Sequence, residues 1–420
     1  MTGDWLASFE ALKSVYVDEA YSNIAINEAV ERHKGCSSGF VRTFTKGVIR
    51  DSIRLDYIVS KLANNGLKGI KNRTLIVLRM GIYAIDCLDS VPGYAAVDES
   101  VKLAKLVSKG SDKFVNAILR RHLRDGVEIP TDDLSLKYSF PKELVELLES
   151  QYGEETENLL AALNKTPKIT IRCNRLKCSR DELIARLSEE GVKCEAVADS
   201  EYAILIHEGN LISSELFTKG YFTIQGLSSI KAIEAFAPHS DSKILDMCAA
   251  PGGKTTAMAE FANDRASITA CDVYEHRLEL IEASARRLGL SSIKTALLDG
   301  TKFDESQSES YDYVLCDVPC SGLGVIGSKP EIKYRARIDD FEELESIQLS
   351  ILENAYKYLK PGGKLMYSTC TINKSENDAV VNAFAEHNEL AKILEKCTYL
   401  PYNNLMGFYY CIIEKNSKCI

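Results

Sequence analysis

Several absences narrow the class of this 420-residue chain before any motif is read. No apolar run approaches the roughly 18–20 residues needed to cross a bilayer, so no membrane-spanning segment is expected. The first residues, Met1-Thr2-Gly3-Asp4-Trp5, have neither the basic start nor the apolar core of a secretory signal. Nothing resembles an export or lipidation signal, and a cytoplasmic protein is expected. No Cys-x-x-Cys pair occurs, which disfavours a zinc ribbon or a thioredoxin-like redox motif, and no metal site is expected. Internal repeats and low-complexity segments are absent as well.

Thirteen cysteines are present, odd in number and scattered. Most lie inside apolar runs, as Cys87, Cys271 and Cys411 do, which is the pattern of reduced, buried packing thiols. Hydrophobic residues make up 45% and charged residues 26%, both globular values. The length exceeds what one core holds, so two or three domains are expected. The net charge of −9 hides an asymmetry. Residues 1–130 carry 19 Lys and Arg against 15 Asp and Glu, and the remainder carries 32 against 45. A nucleic acid would therefore meet the N-terminal part, or a local basic surface, rather than the whole protein.

The first 125 residues read as successive helices. Apolar spacing near three and four recurs over 7–17, 24–33, 39–62, 71–86, 94–105 and 113–123, with Gly66, Gly69, Pro92 and Gly110 between them as stops. That predicts an all-helical domain of five to seven helices. A polar connector at 124–133 leads to a mixed stretch: helix 141–151, strand 169–174, helix 180–190 and strand 202–206. This is the pattern of a small α+β module. Beyond Phe222 strands and helices alternate regularly. Strands are expected at 243–247, 267–272, 294–298, 311–317 and 363–368, with helices at 255–262, 276–288, 347–359 and 375–385. The result is a doubly wound sheet, closed by an antiparallel strand at 408–413.

Chemistry concentrates in this last part. A strand ending at Asp246 and a helix starting near Lys254 put Pro251-Gly252-Gly253 in the first strand-to-helix turn, where a ligand can approach the backbone. The turn is not a P-loop, because Cys248 stands where that motif needs its first glycine. A GxGxxG fingerprint is missing too. Asp272, at the end of the next strand, is placed to accept ribose hydroxyls, and Asp299, after the third strand, to hold an adenine amine. Two thiols leave apolar strands for loops of small polar residues: Cys320 in Asp317-Val318-Pro319-Cys320-Ser321-Gly322, and Cys370 in Ser368-Thr369-Cys370. Two thiols at strand tips beside a cofactor loop point to covalent chemistry, one to attack and one to assist release. Spacing does not say which attacks.

Three motifs together, Leu245-Asp246-Met247-Cys248-Ala249-Ala250-Pro251-Gly252-Gly253-Lys254-Thr255, Asp317-Val318-Pro319-Cys320-Ser321-Gly322 and Tyr367-Ser368-Thr369-Cys370, resemble those of the Sun/RsmB family of RNA 5-methylcytosine methyltransferases. Phe44-Thr45-Lys46-Gly47-Val48-Ile49-Arg50 and Lys113-Phe114-Val115-Asn116-Ala117-Ile118-Leu119-Arg120 resemble the NusB-like helical domain of that family. Tyr138-Ser139-Phe140-Pro141 and Arg172-Cys173-Asn174 resemble its linking RNA-binding module. The resemblance covers nearly the whole chain. It implies an all-α NusB-like domain at 1–128, a small α+β RNA-binding module at 129–215 and an α/β Rossmann-like class I methyltransferase domain at 216–420.

The resemblance also implies S-adenosylmethionine as cofactor. Its contacts would be Cys248, Ala249, Ala250, Pro251, Gly252, Gly253, Lys254, Asp272, Arg277, Asp299 and Asp317. The implied catalytic residues are Cys370 as nucleophile, Cys320 for product release, Asp317 near the methyl-transfer centre, and Lys254; for Asp317 to favour thiolate addition as an acid, the chemistry would need its pKa raised by burial. The implied partner is RNA, 16S ribosomal RNA or a small-subunit assembly intermediate, bound by a monomer. Arg42, Arg50, Arg120, Arg121 and Arg124 are candidate phosphate ligands. The chain departs from the family pattern at Gly226-Leu227, at Leu405-Met406-Gly407-Phe408, which lacks an aspartate before the glycine, and at the less basic Gly327-Ser328-Lys329-Pro330. Two other readings compete: a noncatalytic RNA-binding factor, suggested by the helical part, and another enzyme on the same fold, a DNA cytosine methyltransferase or a degenerate P-loop ATPase.

Overall fold

The computed structural model describes residues 3–417; residues 1–2 and 418–420, and with them the outer ends of the first and last domains drawn above and Cys419, lie outside the described residues. Up to Lys165, joined by Ile326–Ile338, the described chain forms one compact unit. Thr166–Val325 and the described residues from Asp339 onward form a second.

The first unit begins with seven helices, Gly3–Val17, Ser22–Arg32, Ser38–Arg50, Ser52–Leu62, Asn72–Cys87, Gly93–Val107 and Asp112–Asp125. Their apolar stripes meet in one core, where Trp5 packs edge-on against Phe44 with ring centroids 5.0 Å apart. The expected helix over 39–62 is two helices. Ser52 Oγ donates to the Val48 and Ile49 carbonyls, and Ser139 Oγ accepts from the backbone N–H of Ile53 and Arg54, so side chains satisfy both sides of the break at Asp51. Cys87, expected to be buried, is exposed at its helix end beside Arg54.

The excursion Ile326–Ile338 belongs to this unit through a buried cation. The Lys333 ammonium donates to the carbonyls of Arg50 (3.1 Å), Ser139 (3.1 Å) and Tyr138 (3.3 Å) and to Asn164 Oδ1 (2.5 Å), over the Phe140 ring. Burial pushes its pKa well down. The motif Tyr138-Ser139-Phe140 is thus the cage of a lysine almost 200 positions away.

In the second unit β1 (Thr170–Cys173), β2 (Lys193–Ala196), β3 (Ala203–Glu208) and β4 (Phe222–Ile224) form an antiparallel sheet in the order β2-β3-β1-β4. Helix Arg180–Glu189 covers it, started by a capping box between Ser179 and Glu182. The larger sheet holds β5 (Lys243–Asp246), β6 (Ser267–Asp272), β7 (Ile293–Leu297), β8 (Tyr311–Asp317), β9 (Leu359–Thr369), β10 (Ala391–Tyr399) and β11 (Phe408–Lys415), in the order β10-β11-β9-β8-β5-β6-β7. Strands β5 to β9 are parallel, and β11 and β10 add antiparallel. The strand order reverses between β5 and β8, the switch point where such sheets bind ligands. β10 escaped the sequence reading because this edge strand exposes most of its residues.

The two sheets of this unit are tied by one buried ion pair. Arg172 on β1 and Glu260 on helix Gly253–Phe261 are 1% and 2% exposed, and Nε and one terminal nitrogen of the guanidinium each donate to a carboxylate oxygen at 2.9 Å. The same guanidinium donates to Gln225 Oε1, to the Gly253 carbonyl at 2.9 Å and to Thr256 Oγ1 at 3.1 Å. Asn174 is buried as well, its amide donating to the Gly220 and Leu288 carbonyls. The Arg-Cys-Asn motif therefore anchors the helix that begins at the glycine turn. Arg172→Ala leaves Glu260 buried without its cation and should cost about 3–5 kcal/mol of stability. Thermal unfolding of the variant measures this, and Arg172→Lys should recover little of the loss because a lysine lacks the forked donor set.

Candidate active site

The carboxyl ends of β5, β8 and β9 assemble the reactive groups. Parallel pairing of β8 with β9 sets Asp317 opposite Ser368. Cys320 lies three residues beyond that pair and Cys370 two. The ladder continues past the strands, Val318 N–H donating to the Ser368 carbonyl and Gly324 N–H to the Cys370 carbonyl, both at 3.0 Å. The two Sγ atoms consequently stand 3.3 Å apart, well beyond the roughly 2.05 Å of a disulfide but in direct contact. Gly407, just before β11, donates to the Gly324 carbonyl, and a Cβ on either glycine would collide with the other's backbone.

Asp317 accepts one hydrogen bond on each carboxylate oxygen. Its Oδ1 accepts from Ser368 Oγ at 2.8 Å, and its Oδ2 receives the Lys254 ammonium at 2.6 Å. Lys254 also lies 4.9 Å from the Phe408 ring centroid. The expectation that Asp317 is buried fails: its side chain is 31% exposed and held in an ion pair. Cys320 differs from an exposed thiol. The Cys370 contact first, then burial, then the Cys370 and Glu376 charges push its pKa well up, so at rest it is a neutral thiol.

The glycine turn stands where expected. Gly252 has φ of +98°, and a Cβ there would press against the Ile281 backbone at 3.2 Å. Helix Gly253–Phe261 starts immediately after it and offers its first amides. Ala249 and Ala250 pack with Ala270, Leu278 and Ile281, while burial pushes the Cys248 thiol up and leaves it a packing group. Asp272 Oδ1 accepts from Tyr274 N–H at 3.1 Å with the Arg277 guanidinium 3.7 Å away. Asp299 follows β7, whose end runs beside Asp272, Leu298 N–H donating to the Asp272 carbonyl at 3.2 Å; the Asp299 Oδ1 accepts from Thr301 N–H and Oγ1, and its Oδ2 lies 3.0 Å from Lys302. The turn, the open helix start and a strand-end carboxylate fit a nucleoside-bearing cofactor.

Several residues were missed. Asp246 ends β5 fully buried, its Oδ2 accepting from Thr255 Oγ1 at 2.7 Å and its Oδ1 unpaired. A strand-end acid before a glycine turn was the available signal. Glu376 and Gln348, buried behind the cysteine loops, gave none. The departing segments meet each other, Ser228 Oγ donating to the Met406 carbonyl at 2.6 Å. Of the candidate phosphate ligands, Arg50 is turned inward onto the Asn164 carbonyl and Tyr83 hydroxyl, whereas Arg42, Arg120, Arg121 and Arg124 are exposed.

Fold and site define a class I methyltransferase whose crevice carries paired thiols. Residues 233–406 match the model of the 16S rRNA methyltransferase RsmB/F family, residues 6–124 that of the NusB family and residues 140–212 that of the RsmF/B-like ferredoxin-like domain. A probable ribosomal RNA small subunit methyltransferase B of Bacillus subtilis is 35% identical over 97% of this chain and 98% of its own length. A homologue of the same name from Synechocystis is 33% identical over 91% and 89%. The crystal structure of PH0851 superposes with a TM-score of 0.86 over 99% of both chains at 24% identity, a likeness of fold. The chain belongs to the ribosomal RNA small subunit methyltransferase B family. Among the described residues no helix is long and apolar enough to cross a membrane.

Burial raises the Asp246 carboxyl from 3.8 to about 7, against the Thr255 hydrogen bond. The folded state keeps this proton where the unfolded chain has released it. The contribution to stability is complete below pH 3.8 and is lost as pH rises toward 7, by a few kcal/mol at most. Asp246→Asn is neutral throughout, so its melting temperature should gain on the parent's by a few degrees between pH 4.5 and 7.5. A constant difference across that range would contradict a buried, protonated Asp246.

Proposed function

We propose that this protein transfers a methyl group from S-adenosylmethionine to carbon 5 of a cytosine in 16S ribosomal RNA, through a covalent bond between Cys370 and carbon 6 of the base. The 3.3 Å contact between Cys320 and Cys370, beside the Lys254–Asp317 pair at the switch point, carries the reading. The names of the relatives support a small-subunit rRNA as substrate. Gly252, Gly253, Asp272 and Arg277 would hold the cofactor. When bound, the cofactor supplies the electrophilic methyl that carbon 5 takes up, its sulfur leaving as a neutral thioether.

Carbon 5 of cytosine is a weak nucleophile. Addition of the Cys370 thiolate at carbon 6 forms an S–C bond and pushes the ring electrons onto carbon 5. Asp317, paired with Lys254, accepts from the exocyclic amine and fixes the base in the pocket. The base must be unstacked, at a few kcal/mol, or already unpaired.

Release follows from the thiol pair. The contact with Cys370 is the largest influence holding Cys320 protonated at rest. That influence lapses once the Cys370 sulfur is bonded to carbon 6. Cys320 then gives its proton to solvent and takes the proton of carbon 5. The carbon 5–carbon 6 double bond reforms, the S–C bond breaks and its electron pair returns to Cys370.

The test is incubation with labelled S-adenosylmethionine and small-subunit RNA, with DNA and ATP in parallel. Cys370→Ala should lose methylation entirely, and Cys320→Ala should accumulate a denaturant-resistant RNA–protein adduct linked at residue 370. An active Cys370→Ala enzyme, or label appearing in DNA, would overturn the proposal.

A further inference from the structure

Behind the two thiols lies a buried carboxylate that the proposed chemistry does not use. Glu376 has no exposed surface and sits in a π-helical turn, Ser375–Ala379, where a regular helix was expected. Its two oxygens receive four hydrogen bonds. Oε2 accepts from Ser321 N–H at 2.8 Å and Gln348 Nε2 at 3.0 Å; Oε1 accepts from Ser321 Oγ at 2.5 Å and Asn373 Nδ2 at 3.1 Å. Ser321 follows Cys320 directly, and Asn373 lies three residues beyond Cys370. Gln348, itself fully buried, also donates to the carbonyl of Pro319, the residue before Cys320. Tyr367 pins the turn by donating to the Glu376 carbonyl at 2.6 Å.

We propose that Glu376 is a positioning residue that clamps the Cys320 loop to the Cys370 loop, so that the two thiols keep their relative placement when a base enters the site. The inference rests on the reading that the two thiols act in methyl transfer. Four donors around one carboxylate leave no lone pair spare for substrate, so Glu376 acts through the loops and not on the base. The pairing also dictates how substitutions behave. A glutamine has the same shape, but its amide nitrogen faces two donors whichever way it turns. An aspartate keeps the acceptors on a shorter stem. The charge of Glu376 adds to the influences that keep Cys320 protonated, a secondary effect of the same placement.

Glu376→Gln, Glu376→Asp and Glu376→Ala in the full-length protein test this by two readouts. With RNA and S-adenosylmethionine, Glu376→Gln and Glu376→Ala should lower kcat at least tenfold while the RNA KM stays within about threefold, and Glu376→Asp should recover part of kcat. Without substrate, iodoacetamide labelling followed by peptide mass spectrometry gives the alkylation rates of Cys320 and Cys370. In Glu376→Gln both rates should rise severalfold, with the rates of Cys36 and Cys87 unchanged as internal controls for folding. Unaltered kcat, or a loss of kcat with both thiols alkylated at parental rates, would overturn the clamp. If the parent protein transfers no methyl group, the functional reading fails, and the labelling result still decides whether Glu376 holds the two loops.

Discussion

The parallel register of β8 on β9 is the constraint from which the rest of the site follows. Pairing Asp317 with Ser368 puts the thiols three and two residues further on within contact, and lets Ser368 hold Asp317 from the adjacent strand. A slip by one residue would turn every side chain of one strand to the other face and separate both pairs. The register is itself secured by burial on both faces, since Val314, Leu315, Leu365 and Met366 are fully buried. Reactivity here is set by backbone geometry before any side chain chooses a rotamer.

Around that register the second unit places buried charges where they fix loops. Arg172 and Glu260 hold the start of the helix that follows the glycine turn, and Glu376 holds the loops after β8 and β9. Buried ions are costly, and a fully satisfied set of hydrogen bonds is what makes them tolerable. In return each restricts its neighbours to one geometry. Lys254 is different: it is paired with Asp317, whose side chain is partly exposed, rather than sealed among buried donors.

Much of this was legible in the sequence. The alternation of strands and helices beyond Phe222 gave the parallel sheet, and the glycine turn and two cysteine motifs gave its reactive edge. What escaped depends on distance along the chain. Arg172 and Glu260 are 88 positions apart, and Lys333 reaches a cage built from Arg50, Tyr138, Ser139 and Asn164. Glu376 read as an ordinary acid in the first turn of a helix, because nothing local marks it as buried. Asp317 failed in the opposite sense: its environment is a cation rather than an apolar wall, and only the fold brings Lys254 to it. β10 was lost because an exposed edge carries charges where a central strand carries valine and isoleucine.

The central claim is that the sulfurs of residues 320 and 370 occupy one reaction centre in solution. Mild oxidation with diamide, which removes two electrons and two protons from a pair of neighbouring thiols, reads that placement directly. Peptide mapping should then find a Cys320–Cys370 disulfide, and reduction should restore whatever activity its formation removed. If no peptide joins those two residues while other cysteines oxidise, the thiols do not share a site and the account of the chemistry is wrong.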